Sequence, residues 1–150
     1  MGTHYRGPAA ETRALSAYIN LVRAAESVSA RLQPAIDAAG LTASQFGALE
    51  ALVHLGPLSQ GDLARKLLKT GGNITMVTGN LERRGLARRV RSSADRRVVT
   101  VELTPAGRRL IRGIFPAHVR RITRELNTLS PREQGILRVL CRRLGRKEEP

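Results

Sequence analysis

A chain of 150 residues that is 41% apolar but only 3% aromatic has room for a compact core built mostly from Leu, Val, Ile and Ala. Its net charge of +14 favours a polyanionic partner, either nucleic acid or an anionic membrane surface. No apolar run reaches the roughly 18 residues of a membrane span, the opening MGTHYRGPAAETRA has no apolar signal core, and the lone Cys141 excludes an internal disulfide, a combination expected of a cytoplasmic protein.

Charge is uneven along the chain. Residues 1–58 carry four basic and four acidic side chains, whereas residues 59–109 carry twelve Lys/Arg against four Asp/Glu, net +8, and residues 110–150 ten against four, net +6. The middle third is where an anion site is expected.

Residues 11–39 space Leu15, Ile19, Val22, Ala25, Leu32 and Ile36 along one helical face, with Pro34 expected to kink it. In LTASQFGALEAL, Thr42 and Gln45 stand at capping-box spacing and open a second helix. PLSQGDLARKLL offers Ser59 as an N-cap and Asp62 in the first turn, where a carboxylate suits the helix dipole. Leu63, Leu67 and Leu68 are expected to face inward. KTGG is too polar and glycine-rich to continue that helix. NITMVTGNLERRG then places Ile74, Val77, Thr78 and Leu81 on an inner face, with Asn73 a candidate cap and Gly85 the C-terminal stop. Helix, about four residues, helix is the spacing of a helix-turn-helix.

From Leu86 the period becomes two. LARRVR and VVTVELT read as strands around the tip SSADRR, with Val99, Val101 and Leu103 on one side and Thr100 and Glu102 on the other. Thr104-Pro105 opens a long helix to about Asn127, with a kink expected at Pro116. Ser130 and Glu133 form another capping box, followed by the apolar stripe Ile136, Leu137, Leu140 and Leu144. The fold class is mainly α with a small β-wing, a winged helix-turn-helix held in a helical frame.

Such a unit lays its second helix in the major groove, about 12 Å wide, while the hairpin reaches the adjacent groove. The second helix offers Gly72, Asn73, Thr75, Met76 and Asn80 on its outer face. Asn pairs with adenine, Thr meets a base edge or a thymine methyl, and Gly72 permits close approach. Ser59, at the start of the first of these helices, and Thr70, in the KTGG turn, are further candidate contacts. Lys69, Arg83, Arg84, Arg88, Arg89 and Arg91 flank these elements and are placed for phosphates, which supply salt-dependent affinity but no sequence choice. At the hairpin tip Arg97 is long enough to enter a narrow minor groove and Arg96 to touch phosphate, with Asp95 orienting Arg97 or capping the turn.

Together LARKL, NITMVTGNLERRGLARR and DRRVVTVELTPAG resemble the multiple-antibiotic-resistance (MarR) family of bacterial transcription regulators. The hairpin follows that family's pattern of Asp, any residue, Arg, three residues, Val, any residue, Leu, Thr, here Asp95, Arg97, Val101, Leu103 and Thr104. The resemblance runs from about residue 11 to 145. It implies a nucleoid-associated regulator, a repressor in the first instance, that binds a pseudo-palindromic operator as a homodimer. Residues 1–40 and 105–150 would form the helical dimerisation region and residues 41–104 the DNA-binding region, in one intertwined domain. Half-sites would lie about one helical turn, on the order of 10 bp, apart. The family also implies a small phenolic or lipophilic effector in the cleft between frame and winged helix, where Tyr18, Phe46, His54 and Phe115 are candidates that serve equally well as core residues. Many relatives carry arginine where this chain has Met76. Methionine touches a thymine methyl but cannot donate to guanine, so base reading is expected to rest more on Asn73 and Thr75.

The competing function is a non-specific architectural DNA-binding protein using the same fold and charge, separable by its specificity ratio. No nucleophile–base pair, phosphate-binding loop or carboxylate pair points to an enzyme, and His4, His54 and His118 are scattered without metal-ligand spacing, so neither metal nor cofactor is expected. In the tail RRLGRKEEP, Glu148 and Glu149 argue against a membrane-surface helix. Cys141 is expected as a small buried side chain at the dimer interface.

Overall fold

Six helices and three strands follow one another in the computed structural model, which describes residues 3–146. In chain order they are α1 (Ala9–Ala38), α2 (Ala43–Leu55), β1 (Leu58–Ser59), α3 (Gln60–Leu67), α4 (Gly71–Arg83), β2 (Ala87–Arg91), β3 (Val99–Leu103), α5 (Pro105–Leu126) and α6 (Pro131–Gly145). Glu148 and Glu149 lie outside the described residues. The elements fall into two compact units that meet within α5, one up to Pro116 and one from Ala117. Among the described residues no helix is long and apolar enough to cross a membrane. The mainly helical architecture with a small β-wing is the one expected.

Within the first unit α2 is the central element. Its sequence is apolar nearly all round, and Phe46, Ala48, Leu49, Ala51 and Leu52 are buried, as expected of a helix enclosed by others. Leu63 and Ala64 of α3, Ile74, Val77 and Leu81 of α4, Val101 of β3 and Ile111 of α5 complete the core. Each fully buried Leu or Ile contributes roughly 1.5–3 kcal/mol of transfer free energy. The capping box at α2 is formed: Gln45 N–H donates to Thr42 Oγ1 at 3.1 Å, and Thr42 N–H donates back to Gln45 Oε1 at 3.0 Å. Of the apolar stripe along α1, only Ile36 is buried. Both α1 and α5 continue as helices through Pro34 and Pro116.

Three local features depart from the sequence reading. The sheet has three strands in the order β1-β3-β2, all antiparallel, because Leu58 pairs with Val101 and Ser59 with Thr100. Two residues carry too little alternation to be read as a strand; tertiary pairing alone makes them one. Leu68 does not face inward. It is the C-cap of α3 in left-handed conformation (φ 53°, ψ 45°), and 92% of it is exposed, because the reversal of the backbone there swings its side chain off the inner face. Finally, α4 begins two residues before Asn73. Thr70 is its N-cap, its hydroxyl accepting from Asn73 N–H at 3.2 Å, so Gly71 and Gly72 form the first turn.

In the second unit, the end of α5 turns into α6 through a polar clasp. Gln134 Nε2 donates to the carbonyls of Leu126 and Leu129, both at 3.0 Å, and Ser130 with Glu133 forms the expected capping box. None of the described residues of α6 is buried. Ile136, Leu137, Val139, Leu140 and Leu144 are all exposed, and so is Cys141, which is not covered within the single chain.

Candidate nucleic-acid interface

The α3–turn–α4 unit is fixed by caps at both starts. Ser59 Oγ accepts from Asp62 N–H at 3.0 Å and donates to its carboxylate at 2.6 Å, holding that carboxyl below the usual aspartate range. Gln60, the first residue of α3, reaches α4, where its Nε2 donates to Thr75 Oγ1 and Thr78 Oγ1, both at 3.3 Å. Thr78 is fully buried, and its own hydroxyl donates to the Ile74 carbonyl at 2.8 Å, so its polar atom stays satisfied inside the core. On the outer face of α4 lie Gly71, Gly72, Thr75 and Met76, the last 57% exposed.

The wing is β2 and β3 with the tip between them, registered Ala87 to Leu103 and Arg91 to Val99. Gly85, at φ 67°, provides the left-handed turn that ends α4 and starts β2. Thr104 joins both ends: its Oγ1 donates to the Gly85 carbonyl at 2.6 Å and accepts from Gly107 N–H at 3.1 Å, capping α5. At the tip Asp95 both orients Arg97 and closes the turn. Arg97 N–H and Nε donate to Asp95 Oδ1 at 3.0 and 3.1 Å, and Nη2 donates to Oδ2 at 3.1 Å. These bonds from Arg97 hold the Asp95 carboxyl below its usual range. The Arg97 side chain is nonetheless 91% exposed. Arg91 Nη1 donates to the Arg96 carbonyl at 3.1 Å, bracing the tip from the β2 side.

Arg97, Val98 and Val99 of the wing face Ser59, Gln60 and Gly61 of α3 and Gly71, Ile74 and Thr75 of α4 across one open cleft of about 400 Å³. The structure therefore brings Ser59, Thr75 and Arg97, singled out separately along the sequence, to one place. It also sorts the flanking arginines. Arg84 donates to the Gly40 carbonyl at 2.7 Å and to Gln45 Oε1 at 3.4 Å, tying the end of α4 to the start of α2. Arg88 pairs with Glu102 at 2.6 Å and Arg89 with Glu82 at 2.8 Å. Glu82, held below its usual range first by the Arg89 backbone N–H and then by its side chain, locks α4 to β2. Arg83 donates to Asn80 Oδ1. Lys69 is exposed at the turn. Asn73 is half-buried, and its Oδ1 is buried without a hydrogen-bond partner. Gln60 had no sequence signal beyond its place after an N-cap, and its partners lie 15 and 18 residues away.

The effector candidates separate. The His54 and Phe115 rings are in tilted contact, centroids 4.7 Å apart at an interplanar angle of 57°, and line a cavity of about 280 Å³ with Val53, Ile111, Arg112 and Pro116. His54 Nδ1 lies 2.9 Å from the Glu50 carbonyl. Phe46 is a core residue, and Tyr18 is 64% exposed on α1; neither lines that cavity.

Residues 39–98, which span the helix-turn-helix and most of the wing, match the MarR family model. The chain is 35% identical over 133 residues to the HTH-type transcriptional regulator YkoM of Bacillus subtilis strain 168, covering 89% of this chain and 86% of YkoM. Among solved structures it is similar to BpsR of Bordetella bronchiseptica, described with the regulation of its DNA binding by 6-hydroxynicotinic acid (30% identity, TM-score 0.79, 87% and 98% of the two chains). It is also similar to NadR in complex with 4-hydroxyphenylacetate (26% identity, TM-score 0.78, 99% and 100%). With the element order, the capped helix pair and the Asp95–Arg97 wing tip in place, the chain belongs to the MarR family of winged helix-turn-helix, DNA-binding transcriptional regulators.

Proposed function

We propose that this protein is a homodimeric repressor that binds a pseudo-palindromic operator, α4 entering the major groove and Arg97 the adjacent minor groove. The observation that carries the reading is the single cleft shared by α3, α4 and the wing, with Arg97 clamped by Asp95 yet almost fully exposed. An arginine whose rotamer is already fixed loses less conformational entropy on meeting a negative groove. Gly72, Thr75, Met76 and Asn80 face the bases in this reading, with Ser59, Lys69, Thr70, Arg83, Arg91 and Arg96 at the backbone. Asn73 would touch the backbone or a base through its Nδ2.

Release by a small hydroxylated aromatic acid is the second part of the proposal. The cavity beside His54 and Phe115 has Val53, Ile111 and Pro116 in its walls and Arg112 among its lining residues, a combination that suits an aromatic ring bearing a carboxylate. The ligands of BpsR and NadR are of that class.

The test is fluorescence-anisotropy binding to the DNA upstream of the protein's own gene and to scrambled DNA, at physiological salt. A regulator should prefer its operator by about 10³-fold or more, and Arg97→Ala should lose about tenfold or more of that affinity. Equal binding of both DNAs, sensitive only to salt, would favour an architectural protein. Adding 4-hydroxyphenylacetate should weaken operator binding if the cavity is the effector site.

A further inference from the structure

On the outer face of α4 several hydrogen-bonding groups are already engaged or out of reach. Thr75 has one hydroxyl proton, and it is donated to the Gly71 carbonyl at 2.9 Å, while the same oxygen accepts from Gln60 Nε2 at 3.3 Å. With its proton committed, this exposed side chain has no donor left for a base and offers its methyl group and one oxygen lone pair. A bidentate pair with adenine needs both ends of an asparagine amide; Asn73 Oδ1 is buried, and Asn80 Oδ1 already accepts once, from Arg83, and would have to keep or give up that bond to pair. Gly71 and Gly72 present only backbone, with open space where a Cβ would stand. Met76 is 57% exposed, and Leu68, at the preceding turn, 92%. The face therefore presents mainly methyl groups and backbone and is low in relief.

In the major groove, thymine alone among the unmodified bases presents an apolar group, its 5-methyl. Resting on the assignment of α4 as the base-reading helix, we infer that it selects thymine methyl groups by apolar contact through Thr75 and Met76, and that Gln60 is a positioning residue which keeps the Thr75 hydroxyl occupied. The specificity of this protein is then for duplexes carrying thymines within each half-site, and cytosines methylated at the same carbon would satisfy the same contact.

The experiment selects tight-binding duplexes from a random library with the full-length protein, then replaces each thymine of an enriched duplex with deoxyuridine. That change removes one methyl and leaves pairing with adenine intact. Loss of about fourfold in affinity is expected for each contacted methyl, the equivalent of one buried carbon. Thr75→Ser deletes the methyl and keeps the hydroxyl, and with Met76→Ala it should bring the thymine-to-uracil ratio toward one. Indifference to uracil at every position of an enriched duplex overturns this inference while leaving the regulator reading standing. Retention of the full ratio by both variants likewise overturns it. Failure of any duplex to enrich overturns the regulator reading, and this inference with it.

Discussion

At the wing tip, three hydrogen bonds from Arg97 converge on the Asp95 carboxylate, and their effect on its titration has a definite sign. The carboxyl is shifted below its ordinary value of 3.8, so the clamp is fully present above that value and is lost as pH falls through the lower, folded one. In an NMR titration the Asp95 carboxyl midpoint should lie below 3.8, and the Arg97 Nε resonance should move with it; a midpoint at or above 3.8 would show that the clamp does not persist in solution. Gly107 is a second residue whose environment decides what it can be. A Cβ there would overlap the Leu86 carbonyl, backbone that cannot swing away. Gly107→Ala should therefore cost on the order of 2 kcal/mol or more, read as a lowered urea midpoint with an unchanged slope.

Among the elements, caps do more to place the site than intrinsic helix preference does. α4 starts with two glycines, poor helix formers, and is held by the Thr70 cap at one end and by Glu82 and Arg84 at the other. For α2 the cap also touches the rest of the fold, since Gln45 Oε1 accepts from both Thr42 and Arg84. Thr42→Ala should destabilise the protein by about 1 kcal/mol, measured by thermal or urea unfolding, and no change would mean that the box is idle. The wing illustrates the opposite dependence. β2 has one buried residue, Ala87, and Val101 on β3 is fully buried, so the hairpin is anchored through its second strand and the added pair with β1.

For the whole molecule, the unburied stripe of α6 bears on the proposed assembly. Five large apolar side chains exposed on one 15-residue helix are costly in water and match a helix that is covered by a second copy. In the proposed dimer, Leu140→Glu should give a monomer in analytical ultracentrifugation. Operator affinity should fall by about 100-fold or more, because two half-sites would no longer be held by one body. A dimer that survives this change would remove α6 from the interface.

What the sequence determined by itself is the local grammar. Thr42–Gln45, Ser59–Asp62, Thr104-Pro105 and Ser130–Glu133 mark helix starts because a capping side chain acts within three residues of itself. The Asp95–Arg97 pair and the alternation of Val99, Val101 and Leu103 are readable for the same reason. The tertiary structure alone decided that Leu58–Ser59 is a strand, that Leu68 turns outward, and that Arg84, Arg88 and Arg89 bond to the protein. It also decided that Gln60 occupies the Thr75 hydroxyl. The outward turn of Leu68 is a backbone reversal at the α3 C-cap; the others depend on partners 7 to 44 residues away, and no periodicity within one element records which distant group will arrive to satisfy a side chain.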